Sequence, residues 1–108
     1  MKKIFLLTAI LFSSQLYAAT DAQRKAIESI GELNGVALQC SYIDKVRVIK
    51  LALVKNLPKQ RILGQWFEDA TNQSFMKFME SGQQCPRIDL FSNDLDAAIS
   101  QIETEFSQ

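Results

Sequence analysis

From residue 21 onward, apolar positions recur along the chain at intervals of three and four. Ala26, Ile30, Leu33, Ala37 and Cys40 step in this way, a spacing that keeps them on one face of an α-helix. Asp21 is the expected N-cap. The run Gly-Glu-Leu-Asn-Gly at 31–35 interrupts the pattern in composition, because an interior glycine costs a helix about 1 kcal/mol relative to alanine. Asn34-Gly35 also has the form of a helix stop. The apolar face keeps its phase across both glycines, which favours continuity. Gly31 and Gly35 then share a stripe with Leu38 and Tyr42, a shallow helix-packing groove that another helix can approach closely. A neighbour from the same chain is the default occupant, and a partner's helix is the alternative.

The next segment, 41–59, places Tyr42, Val46, Ile49, Leu53 and Leu57 on one helical face, with Ile43, Val48, Leu51 and Val54 on the remaining sides. A helix apolar nearly all round is usually central and buried. A domain this small cannot bury it completely, so part of it is expected to form an interface. Pro58, which lacks a backbone donor, ends this helix or opens the next. The pattern fits one helix over 22–56 or two that bend near Cys40. Residues 58–81 repeat Leu63, Trp66 or Phe67, Ala70, Ser74 and Phe78 at helical spacing, widened by Ile62, Phe75 and Met79, with Gly82 at the C-terminal cap position. After Cys85-Pro86, the residues Ile88, Phe91, Leu95, Ile99, Ile102 and Phe106 share one face of a last helix. No useful stretch of β-alternation, repeat or low-complexity segment interrupts this plan. The expected fold is all-α: a small antiparallel bundle of three to five helices.

The first residues read differently. Lys2 and Lys3 precede an apolar run from Ile4 to Phe12, and small Ala18 follows a short polar break. That order of basic, apolar and small-residue regions is a secretory signal peptide. The apolar run falls well short of the roughly 20 residues that span a bilayer. No cysteine stands at the cleavage position to carry a lipid. The expected organisation is a cleaved leader over 1–18 and one helical domain over 19–108, periplasmic or secreted, with no stable membrane insertion after cleavage.

Export settles the two cysteines. In an oxidising compartment Cys40 and Cys85 have a single possible pairing. Zinc needs more ligands than two cysteines supply, and the chain has no histidine. A cysteine nucleophile would lack its histidine base, and a redox pair would sit closer in sequence. The reading is a structural disulfide. Closing a loop of this length stabilises a fold by about 4 kcal/mol in the chain-entropy model.

Charge adds one further clue. The 12 basic and 12 acidic residues balance, so nucleic acid is not an expected partner. They are nonetheless segregated. Lys45, Arg47, Lys50, Lys55, Lys59 and Arg61 occur with no acidic residue among them, while carboxylates dominate from Glu68 to the end. Oppositely charged helices lying side by side would explain this, and so would a basic surface that docks a partner.

Candidate chemistry is sparse. Glu68 and Asp69 are adjacent and Asp94 and Asp96 are two positions apart, so neither pair converges on a helix. No serine-lysine, nucleophile-elbow or phosphate-loop motif occurs. An enzyme is not expected, nor a cofactor or a metal. Met76 and Met79 could offer thioethers to copper, but their spacing also suits a core stripe.

The expected function is protein–protein interaction, of inhibitor, immunity-protein or accessory-subunit type, with another exported protein or as a homodimer. The expected contact residues are Lys45, Arg47, Val48, Lys50, Leu51, Val54, Lys55, Lys59, Arg61 and Trp66. The alternatives are a periplasmic acid-stress chaperone, loosened when acid discharges the carboxylates, and a carrier of a small apolar ligand or copper.

Overall fold

A computed structural model describes residues 18–107, and the leader sequence read above falls almost wholly outside them. Four helices follow in order: α1 (Asp21–Gln39), α2 (Ile43–Asn56), α3 (Arg61–Ser81) and α4 (Ile88–Phe106). No strand occurs among the described residues. Consecutive helices reverse direction, so α1 and α3 run parallel to each other, as do α2 and α4.

Helix α1 is capped one residue earlier than expected. Thr20, not Asp21, is the N-cap: its Oγ1 accepts from the Gln23 amide at 3.0 Å, and its own amide donates to Gln23 Oε1 at 2.9 Å. This capping box satisfies two amides that the helix itself leaves open. Asp21 then lies in the first turn, where a carboxylate suits the helix dipole. Gln23 also donates through Nε2 to the Glu105 carbonyl at 2.9 Å, tying the start of α1 to the end of α4.

The chain breaks between α1 and α2. Ser41 takes φ 60°, the left-handed region, and Cys40 and Tyr42 flank it outside helical geometry. Two helices therefore replace the long one that the pattern also fitted. Pro58 belongs to neither neighbour, since α2 caps at Leu57 and α3 begins after Gln60. Gly82 ends α3 with φ 65°, the left-handed cap that glycine adopts without a Cβ clash.

The central helix is α1, not α2. It contacts all three others, whereas α2 and α4 touch α1 and each other, and α3 touches α1 alone. The core joins Ala26, Ile27, Ile30 and Ala37 of α1 to Val46 and Ile49 of α2, Leu63 of α3, and Phe91, Leu95, Ala98 and Ile102 of α4. Each large side chain fully buried here contributes about 1.5–3 kcal/mol. Small residues explain why α1 takes the centre: Ala26, Gly31, Gly35 and Ala37 let neighbours close in from two sides. Helix α2 cannot, because Arg47, Lys50 and Lys55 keep its outer side in water.

The contact between α1 and α3 is built on those glycines. A Cβ on Gly31 would lie 2.8 Å from Ala70 Cβ and 2.9 Å from the Phe67 carbonyl oxygen. One on Gly35 would lie 2.6 Å from the Thr71 carbonyl and 2.7 Å from Ser74 Cβ. Gly31-x-x-x-Gly35 thus meets Ala70-x-x-x-Ser74, two small-residue pairs at matching spacing. Close backbone approach of this kind brings glycine Cα–H groups toward carbonyl oxygens. The seam is also polar. Asn34 donates to Thr71 Oγ1 at 3.3 Å, and Ser74 donates to the Glu32 carbonyl at 2.7 Å. Asn34 Oδ1 is buried without a hydrogen bond. The groove does not continue to Leu38, which is exposed, or to Tyr42, which caps α2.

The Cys40–Cys85 disulfide joins the end of α1 to the loop before α4, with Cα atoms 5.7 Å apart. Tyr42 reinforces the same corner. Its hydroxyl donates to the Pro86 carbonyl, and its ring meets Phe91 edge-on at 5.5 Å. Ile88 is exposed rather than part of the buried face of α4, because the core on that helix begins at Phe91.

Candidate functional site

The outer side of α2 is the surface with the most unexplained apolar character. Val46, Ile49 and Ala52 turn inward and are buried, with Leu53 and Leu57 packed partly against the core. The opposite side leaves Leu51 68% and Val54 81% exposed, with Ile43 at 51% and Val48 at 40%. Positions 43, 47, 51 and 54 succeed one another by a turn each, so Ile43, Leu51 and Val54 form one row broken only by Arg47. Val48 and Lys55 flank the row on one side and Lys50 on the other. Arg47 is held over the first turn by Asp44 at 3.2 Å, an exposed pair worth little in stability.

Of the residues expected to contact a partner, Arg47, Val48, Lys50, Leu51, Val54 and Lys55 stand exposed on this helix. Lys45 is half-buried at its edge, Lys59 lies in the α2–α3 connection, and Arg61 opens α3. Trp66 lies apart from them. It sits on α3, partly buried against the core, with the Arg24 guanidinium 4.7 Å above its ring. Since α3 packs on α1 and not on α2, Trp66 borders a different surface, an open groove of about 950 Å³ between α1 and α3. Arg24 both covers the indole and pairs with Glu28 at 3.0 Å, so this aromatic is already engaged within the chain. Ile43 was absent from the expected contact set, although its place one turn before Arg47 puts it in the same row.

Charge segregation does bring a basic helix beside an acidic one, since α2 and α4 are neighbours. No ion pair joins them. Among the described residues the ion pairs are local: Arg24–Glu28, Asp44–Arg47 and Arg87–Asp89. The Arg87 side chain, 2.6 Å from Asp89, holds that carboxyl below its ordinary value of 3.8. An acid trigger working by loss of cross-helix ion pairs therefore has none to act on among these residues. Met76 and Met79 are both exposed on α3. Among the described residues no cluster of three histidine, cysteine or acidic side chains could hold a metal ion.

What fold and surface together define is a small all-α bundle closed by one disulfide, with an apolar–basic helix on its outside. No family model, curated protein or solved structure matches the chain. No described helix is long and apolar enough to cross a membrane.

Proposed function

We propose that this protein is an exported, non-catalytic interaction module that binds another exported protein or a second copy of itself through the outer side of α2. The observation that carries the reading is the exposure of Ile43, Val48, Leu51 and Val54 on successive turns of one helix, bordered by Arg47, Lys50 and Lys55. Single apolar residues on a surface are ordinary. A contiguous apolar patch rimmed by charge marks an interaction surface. Export is supported by the leader-like run at the N-terminus and by a disulfide, which persists in oxidising compartments. The non-catalytic reading is supported by the lack of histidine in the chain and by the spacing of Glu68 with Asp69 and of Asp94 with Asp96, which turns each pair apart on its helix.

The test compares native masses. The wild-type protein, isolated gently from the compartment that holds it, is expected to run above the mass of one chain. The variant Leu51→Asp with Val54→Asp is expected to run as one chain, its stability changed by no more than about 0.5 kcal/mol because both positions are exposed. Equal masses for the two proteins would overturn the reading.

A further inference from the structure

The geometry points to a second copy of this chain as the occupant of the α2 face, in a two-fold dimer that sets α2 of each protomer against α4 of the other. The inference rests on the proposed role of α2 and names the partner that role requires. Helices α2 and α4 pack side by side on α1 and run parallel, while α3 lies against α1 alone. Their solvent sides therefore belong to one continuous layer of the molecule. On α2 that layer is apolar and basic. On α4 it is acidic, with Asp96 and Glu103 exposed two turns apart on one side of the helix, and Leu90 adds an apolar group at 51% exposure.

These neighbouring helices make no ion pair with each other inside one chain, so both charge sets remain available. A two-fold axis lying parallel to the helices, between two such layers, sets α2 opposite the partner's α4 and α4 opposite the partner's α2. Each protomer then contributes the same self-complementary patch, and the assembly closes at two copies. Basic residues meet carboxylates twice, and the exposed aliphatic groups are covered together. A membrane surface fits less well, because anionic headgroups that attract Lys50 and Lys55 would meet the carboxylates of α4 beside them. Two helices of 14 and 19 residues present a face about 20 Å on a side, about 400 Å² per protomer, which is below the range of stable specific interfaces and in that of weak, transient ones. The dimer is accordingly expected to dissociate on dilution and to weaken as salt screens the charges.

The experiment is sedimentation equilibrium on purified, oxidised protein over a wide concentration range. The wild type is expected to move from one chain to two and no further. Lys50→Glu with Lys55→Glu, and separately Asp96→Lys with Glu103→Lys, are each expected to weaken the dimer by at least about tenfold. Mixing the two variants is expected to restore it, because both contacts regain opposite charges. A wild type that stays monomeric throughout overturns the second copy, and so does a dimer that both charge variants leave intact. If a monomeric wild type sediments with phosphatidylglycerol vesicles and Leu51→Asp abolishes this, the occupant is a membrane surface instead. The α2 reading fails on a different result, an unchanged native mass for Leu51→Asp with Val54→Asp, so the two failures are separable.

Discussion

The two sides of α1 are held by different kinds of contact. Toward α2 and α4, large side chains interlock: Ile30, Ile49, Phe91, Leu95 and Ile102 are all but excluded from water. Toward α3, backbones approach closely over Gly31 and Gly35, and the seam carries Asn34, Thr71 and Ser74. The first side gains mainly from removing apolar area from water. The second gains from close dispersion contact and hydrogen bonds, and it is disturbed by a single added carbon. Hydrophobicity therefore governs one interface and shape the other, within one helix of 19 residues.

That contrast can be broken first at the bond shared by both sides. Replacing Cys40 and Cys85 together by serine is expected to cost about 4 kcal/mol, measured as a lower urea midpoint; a change below 1 kcal/mol would mean that the two interfaces hold the chain ends by themselves. The shape-governed side is tested next. Gly35→Ala drives a Cβ into the Thr71 carbonyl and Ser74, and a loss of about 2 kcal/mol is expected from overpacking. Gly64→Ala is the opposite case on the facing helix. Nothing lies within 4 Å of its added carbon, so thermal melting should show a gain of up to about 1 kcal/mol from helix propensity. If both glycines respond alike, the seam is not governed by shape.

The smallest effect lies away from both interfaces. Arg87 lowers the pKa of Asp89, so the stabilisation linked to that carboxylate is present above its ordinary value of 3.8 and fades as pH falls through the depressed one. Arg87→Ala should raise the Asp89 midpoint in an NMR titration. An unmoved midpoint would remove the contact from the solution structure.

Much of this was legible in the order of residues. The buried face of α4 shows in its spacing because one side of that helix is apolar and the other is not. The disulfide followed from elimination, since a histidine-free chain leaves two cysteines no other common role. The break at Ser41 was hidden, because a left-handed serine carries no sequence mark comparable to Gly82. The choice of central helix was misread from α2 because large apolar residues attract attention, whereas centrality here depends on Ala26, Gly31, Gly35 and Ala37. The capping box Thr20-x-x-Gln23 stood in plain view beside Asp21. Placing Trp66 under Arg24 needed the α1–α3 pairing, a contact between residues 42 positions apart that no local pattern encodes.

Viewed as a covalent graph, the Cys40–Cys85 bond makes a closed ring that contains α2 and α3, from which α1 and α4 emerge as two tails. The tails pair with each other; α1 lies against both ring helices, and α4 lies against α2 alone of the two. A protease that cuts the exposed connection at Pro58–Gln60 opens the ring without releasing either piece. The nicked molecule would keep one tail and one ring helix on each fragment, joined by sulfur and by every interface that crosses the cut. It would migrate as a single species until a reductant is added, and only then as two.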